Sequence, residues 1–191
     1  MNKTAIVTGG TSGIGKAAAL ALKNDGWTVY ELSRRLTGTE GINHITADIT
    51  DESGVAAAVE QVVSAEGHID LVVNNAGFGI SGAVEFTDTE DAKRLFDTDF
   101  FGMVRINRLI IPIMRKQGGG KIINISSVAA PIPIPFQTYY SAAKAAALTT
   151  PGRGRLRISV SSRARYTSTA PAAPPATASM RRQGLSARSR G

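Results

Sequence analysis

The stretch Thr4-Ala-Ile-Val-Thr8-Gly9-Gly10-Thr11-Ser12-Gly13-Ile14-Gly15 decides how this chain is read, because a short apolar segment runs straight into a glycine-rich turn. Ala5 to Val7 is a continuous apolar run, as expected of a strand buried on both faces of a parallel sheet. The residues after Gly15, Lys-Ala-Ala-Ala-Leu-Ala-Leu, are strong helix formers, so the turn leads from a strand into a helix N-terminus. Glycines let backbone N–H groups approach a ligand, and a helix N-terminus carries about half a positive charge, so the turn is an anion site suited to a pyrophosphate. Its glycines are spaced Gly-x-x-x-Gly-x-Gly at Gly9, Gly13 and Gly15, with Thr11, Ser12 and Ile14 between them. Alone, such a turn is as readily a tight connection as a phosphate cradle, and residues further along decide between the two.

Outward from this turn, β-branched apolar runs alternate with longer amphipathic stretches through residue 150. Strands are expected near Thr4–Thr8, Thr28–Leu32, His44–Ala47, Ile69–Val73 and Lys121–Ile125. Helices are expected near Gly13–Asn24, Glu52–Glu66, Glu90–Arg115 and Thr138–Thr149. Strands that alternate with helical crossovers predict an α/β fold, a Rossmann-type doubly wound parallel sheet. On this reading the sheet is truncated after the fifth strand and the helix that carries Tyr140 and Lys144. Residues 1–150 are expected to form this one domain.

Composition narrows the function classes. Apolar residues make up 42% of the 191, but they sit in short runs that never approach the ~20 residues of a membrane span. The N-terminus lacks the longer apolar stretch of a secretory signal, so a cytoplasmic protein with no membrane partner is expected. The chain has no cysteine, and its two histidines, His44 and His68, are isolated, so no metal site is expected. The net charge of +7 divides sharply. Residues 1–150 hold 13 Lys and Arg against 15 Asp and Glu, while residues 151–191 hold nine Arg and no acid. Of those last 41 residues, 34 are Arg, Ser, Ala, Pro, Gly or Thr, too little apolar surface to offset the entropy of ordering, so a disordered tail is expected. One short run, Leu156–Val160, suits a strand. The abrupt switch is also the composition that an out-of-frame reading of a GC-rich gene would produce. With the single aromatic Tyr166 and no recognisable module, the tail is not expected to bind nucleic acid.

Four further groups of residues support the phosphate cradle. The second strand runs into Ser33 and Arg34, where the ribose of an adenosine would lie. A hydroxyl and a guanidinium fork there suit a 2′-phosphate, so NADP(H) is preferred and NAD(H) is retained as the alternative. Glu31 stands two residues earlier on the strand. Asp48 with Ile49, and Asn74 with Ala76 and Gly77, fall at the carboxyl ends of the third and fourth strands, where open α/β sheets bind ligands; each is equally a cap or turn residue. After the fifth strand come Ser126-Ser127 and then Tyr140-Ser-Ala-Ala-Lys144, whose first and last residues share a helical face. A phenol ordinarily titrates near pH 10, and an ammonium within ~4–6 Å favours its ionised form, the condition for acid–base work near neutral pH.

In this order, Thr8–Gly15, Asp48, Asn74–Gly77, Ser127 and Tyr140 with Lys144 resemble the short-chain dehydrogenase/reductase family. The resemblance covers residues 1 to about 150. It implies an NAD(P)-dependent oxidoreductase acting on a ketone or secondary alcohol. By the same resemblance Tyr140 transfers the proton, Ser127 orients the carbonyl or hydroxyl, and Lys144 holds the nicotinamide ribose and lowers the barrier to ionising the tyrosine. It also implies a dimer or tetramer, although the helix around Tyr140 that packs across such interfaces is shortened here. Two departures stand out. Asp99 occupies the place of the family's usual asparagine, and its negative charge predicts a slower enzyme or a higher pH optimum. The C-terminal part lacks the family's later strands and substrate loop, which leaves a truncated, non-catalytic dinucleotide-binding module as the alternative reading.

Overall fold

The computed structural model describes residues 2–132 and 134–149, together with the backbone of 156–161. Strands β1 (Thr4–Thr8), β2 (Thr28–Ser33), β3 (Asn43–Thr46), β4 (Leu71–Asn74), β5 (Gly120–Ile125) and β6 (Leu156–Ser161) form one sheet in the order β3-β2-β1-β4-β5-β6. Every pairing is parallel. The doubly wound sheet expected from the sequence is therefore present, and it continues one strand past the five strands expected. β6 runs beside β5 in register from Gly120↔Leu156 to Ile125↔Ser161. The expected disorder of 151–191 otherwise falls outside the described residues.

The apolar runs of the strands alternate between two cores. Ile6, Val72 and Ile122 face one layer, where they pack on Val55, Val59 and Val62 of α2 (Glu52–Glu66) and on Ile106, Ile110 and Met114 of α4 (Met103–Lys116). Ala5, Val7, Leu71 and Val73 face the other, against Ala19 and Leu22 of α1 (Gly13–Asn24). Burying each such Ile, Val or Leu contributes about 1.5–3 kcal/mol, which is why continuous apolar strands were legible as two-faced. Side-chain caps start α2 and α3 (Thr89–Phe96). Asp51 accepts from the Ser53 amide at 3.0 Å, and Asp88 accepts from the Glu90 amide at 2.9 Å. Gly67 ends α2 with φ +75°, the left-handed conformation that glycine adopts without strain.

The single helix expected over Glu90–Arg115 is helical throughout, but its middle is a wide turn. Residues Asp97–Gly102 form a π-helical segment between α3 and α4. Arg105 spans it, with Nη2 2.6 Å from Asp97 Oδ1. The extra backbone in such a turn rotates the residues it contains relative to a regular helix. Asp99 is one of them. Among the described residues, no helix is long and apolar enough to cross a membrane.

Candidate functional site

A cleft of about 640 Å³ opens along the carboxyl ends of the strands, at the point where the strand order reverses about β1 and β4. One end is the glycine turn. Gly9 has φ +67° and its N–H donates to the Leu32 carbonyl at 2.7 Å, tying the turn to β2. A Cβ on Gly15 would run into the Gly9 carbonyl and the Asn75 amide, so only glycine lets α1 begin this close to β1 and β4. Above Gly13 nothing lies within 4 Å of where a Cβ would stand. Ser12 precedes α1 without a side-chain cap, unlike Asp51 and Asp88, so the first amides of α1 are left without that partner where the cleft begins. Gly9, Thr11, Ser12, Gly13 and Ile14 all line the cleft, whereas Gly15 acts beneath it.

Beyond the turn, Ser33, Arg34 and Arg35 form the wall. The Ser33 hydroxyl is buried with no partner, and both arginines are exposed and in no ion pair among the described residues. Asp48 also lines the cleft, with Oδ1 accepting from the Thr50 amide at 2.9 Å and hydroxyl at 2.7 Å. Ile49 lines it too, and Gly102 makes room for it, since a Cβ there would lie 2.7 Å from Ile49 Cγ1.

At β4 the structure separates two asparagines. Ala76 and Gly77 line the cleft as expected, but Asn74 does not. Its side chain is buried, donating to Asn107 Oδ1 at 2.9 Å and Asn124 Oδ1 at 2.8 Å. The alternation of β4 accounts for this, because Asn74 shares the face of Val72, which packs under α4. Asn75 lines the cleft instead and donates to the Thr8 carbonyl at 3.0 Å, while Thr8 Oγ1 accepts from the amides of Asn75 and Ala76, each at 3.0 Å. The period of two along residues 71–75 was the signal that could have distinguished them.

The other end of the cleft carries Tyr140 and Lys144 on α5 (Thr138–Leu148). Lys144 Nζ lies 5.7 Å from the centre of the Tyr140 ring and 3.5 Å from the Ile125 carbonyl oxygen. Buried Ser126 donates to the Lys144 carbonyl at 2.8 Å, which pins α5 to the end of β5. Ser127 stands at the same strand end, but is not in the cleft wall; its Oγ accepts from the Ala129 amide at 3.2 Å. Gly79 packs 3.8 Å from the Tyr140 ring, measured from where its Cβ would stand, and the Gly82 amide donates to the Phe136 carbonyl at 2.8 Å. The loops after β4 and β5 thus clasp each other beside the tyrosine.

Asp99 meets this end from the π-helical segment. Its side chain is fully buried, with Oδ2 3.0 Å from Lys144 Nζ and Oδ1 accepting from the Phe78 amide at 2.9 Å. Gly77 is the residue that admits it, since a Cβ there would stand 2.8 Å from Oδ2. Burial pushes the Asp99 carboxyl above the ordinary carboxylate range, and the Lys144 charge and the Phe78 N–H partly offset that rise. Among the described residues the charge paired with Asp99 is thus Lys144, the lysine expected to serve the tyrosine and the ribose.

A model of the family described as short chain dehydrogenase matches residues 3–150. The chain is 42% identical over 140 residues to the 3-ketodihydrosphingosine reductase of Bacteroides thetaiotaomicron, covering 73% of this chain and 52% of that protein. Among solved structures it is similar to the ligand-free aldohexose dehydrogenase of Thermoplasma acidophilum, with 33% identity, a TM-score of 0.73 and coverage of 76% of this chain and 57% of that one. It is also similar to ElxO with NADP bound, with 30% identity, a TM-score of 0.72 and coverage of 76% and 64%. The chain spans about half the length of the curated relatives it matches.

Proposed function

The chain belongs to the short-chain dehydrogenase family, and from that premise we propose that its cleft binds NADP(H) in preference to NAD(H) and that Tyr140 serves hydride transfer to a ketone or from a secondary alcohol. One observation carries this reading: a single cleft runs from the uncapped N-terminus of α1 to Tyr140 and Lys144. The residues present fit a dinucleotide. Gly9, Gly13 and Gly15 leave backbone where side chains would intrude, the buried Ser33 hydroxyl lacks a partner, and Arg34 and Arg35 offer guanidinium forks to a 2′-phosphate.

When bound, the reduced nicotinamide supplies the hydride for a carbonyl carbon. Tyr140 Oη donates the proton to the carbonyl oxygen in that direction and recovers it in the reverse one. Ser127 stands outside the cleft wall, but its Oγ only accepts from the Ala129 amide, and its hydroxyl hydrogen is assigned to the same oxygen. Lys144, kept in place by Asp99 and by the pinned end of α5, donates to the ribose hydroxyls. Asp48 accepts from the adenine amino group, and the backbone of Ala76 and Gly77 lies along the cofactor. On this reading residues 1–150, with strand β6 completing their sheet, are the dinucleotide-binding and catalytic domain, and the protein is a cytoplasmic dimer or tetramer.

Titration of the purified chain with NADPH and NADH, followed by NADPH absorbance with a panel of ketones, tests the proposal. NADPH should bind more tightly than NADH. Arg34→Ala should weaken NADPH by about 10–100-fold, as loss of a hydrogen bond between charged groups does, and leave NADH nearly unchanged. Absence of binding by either dinucleotide would overturn the reading. Binding without any hydride transfer would reduce it to a dinucleotide-binding module.

A further inference from the structure

Beneath the glycine-turn end of the cleft, β2 and β3 bury an acid and a base that the reading above leaves unused. Glu31 is wholly buried, and His44 is its register partner across the parallel β2–β3 ladder. His44 Nδ1 contacts Glu31 Oε1. On the other side of the ring, Nε2 lies 2.9 Å from the Arg35 carbonyl oxygen and 3.1 Å from Thr46 Oγ1. The Thr46 hydroxyl is itself 3.1 Å from the same carbonyl. The pair is tightly enclosed. A Cβ on Gly10, in the phosphate turn, would stand 2.6 Å from Glu31 Cβ, and one on Gly38 would stand 2.8 Å from His44 Cγ and 3.1 Å from Glu31 Oε1.

A count of hydrogens separates the two tautomers that this arrangement allows. A carbonyl oxygen only accepts, a carboxylate only accepts, and a neutral imidazole has one N–H. With a bare Nε2, two lone pairs would face each other across 2.9 Å at Arg35. With Nε2 protonated, the contact between Nδ1 and Glu31 needs a second proton, placed on either partner. In that tautomer the pair holds one proton more than a carboxylate beside a neutral imidazole and is uncharged overall; with a bare Nε2 the Thr46 hydroxyl, 3.1 Å away, is the donor to the ring instead. Among the described residues Glu31 Oε2 has no hydrogen-bond partner, and His44 is the basic side chain within ion-pair distance of Glu31.

Resting on the dinucleotide reading, we propose that His44 carries a proton on Nε2 beside Glu31 and is a positioning residue for cofactor phosphate. Its Nε2–H holds the Arg35 carbonyl and so sets the Ser33–Arg35 turn that presents the guanidiniums. Its proton cancels the Glu31 charge under Gly10, where an uncompensated carboxylate would repel an anion bound at the turn. Glutamate is thereby tolerated at a position directly below a phosphate cradle.

The test is calorimetric titration of apo protein with NADPH, NADH and 2′,5′-ADP, for wild type, His44→Gln, Glu31→Gln and the double variant. His44→Gln should raise the dissociation constants for NADPH and 2′,5′-ADP about tenfold and that for NADH by less, and adding Glu31→Gln should restore most of the loss. Unchanged NADPH affinity in folded His44→Gln would overturn the proposal, as would a double variant no better than the single one or a loss equal for NADH and NADPH, because a merely structural histidine does not act on the 2′-phosphate selectively. Should the variants not fold, ¹⁵N spectra of the wild-type His44 ring decide. A protonated Nε2 supports the proposal and an unprotonated one overturns it. Wild type that binds neither dinucleotide would instead sink the reading on which the proposal rests.

Discussion

At the glycine-turn end of the cleft, polar groups are left free: α1 starts without a side-chain cap, the Ser33 hydroxyl has no partner, and Arg34 and Arg35 are exposed without an ion pair among the described residues. At the tyrosine end they are spoken for, since Lys144 lies buried against Asp99 at 3.0 Å and its backbone carbonyl is held by Ser126. Both ends sit on the same sheet edge, so the difference comes from what packs behind them. Short loops and glycines back the first end, while the second is backed by the π-helical segment that delivers a carboxylate. Binding energy for anions is thus pre-organised at one end, and at the other the chief cation is shared between an internal acid and any ligand.

The sharpest way to break this contrast is at the tyrosine end. Tyr140→Phe removes the proposed proton donor and should lower kcat by about 10²–10⁴-fold while leaving the NADPH dissociation constant nearly unchanged, measured by steady-state kinetics beside titration. If both parameters move together, Tyr140 shapes the cleft and does not carry the proton. At the other end, Gly15→Val should reverse the pattern. Its Cβ meets backbone at Gly9 and the Asn75 amide, so urea unfolding should show a loss of about 1–3 kcal/mol and NADPH binding should fall sharply.

Asp99→Asn sharpens the comparison, because it frees the Lys144 charge with little change of shape. The rate at neutral pH should rise by up to about tenfold and the optimum should move to lower pH, in keeping with removal of the negative charge that faces Lys144. An unchanged pH profile would remove Asp99 from the mechanism. Stability should respond with a definite sign. The folded-state value of Asp99 is raised by burial, so its contribution is most favourable below the ordinary carboxylate value of 3.8 and declines as pH rises through the raised one. Unfolding free energies of variant and wild type should therefore diverge in favour of the variant across that weakly acidic window.

The smallest effect is expected at the foot of the sheet, away from both ends. His68 is held above its ordinary value of 6.5, chiefly by the Glu66 carbonyl 2.7 Å from Nδ1, with the Asn2 carbonyl and Asp70 adding to the rise. A raised histidine stabilises the fold fully below its unfolded value, and that stability is lost as pH rises through the folded one. His68→Gln should cost under about 1 kcal/mol in mildly acidic solution and less in alkaline solution, with no change in cofactor affinity at any pH. A change in affinity would show that the two ends are coupled through the foot of β4.

Much of the site was legible because it is local. The glycines at 9, 13 and 15 and the face shared by Tyr140 and Lys144 are set by spacing along one turn or one helix. Asn74 was assigned to the cleft from its position at a strand end, without following the alternation that turns it toward Asn107 of α4. The helix over residues 90–115 was visible in its periodicity, but the π-helical segment at Asp97–Gly102 was not, since a single wide turn barely disturbs an amphipathic pattern.

By itself the sequence determined the parallel sheet and the two motifs at its edge, for apolar runs and glycine spacing act over a few residues and admit few alternatives. Only the tertiary structure decided which charges meet. Asp99 and Lys144 are 45 residues apart, His44 and Glu31 are 13 apart on neighbouring strands, and Asn75 reaches Thr8 across 67 positions. No periodicity encodes such pairs, because they are fixed by how helices and strands pack in three dimensions. Burial then raises the weight of each one, since a charge removed from water must find its partner inside the protein.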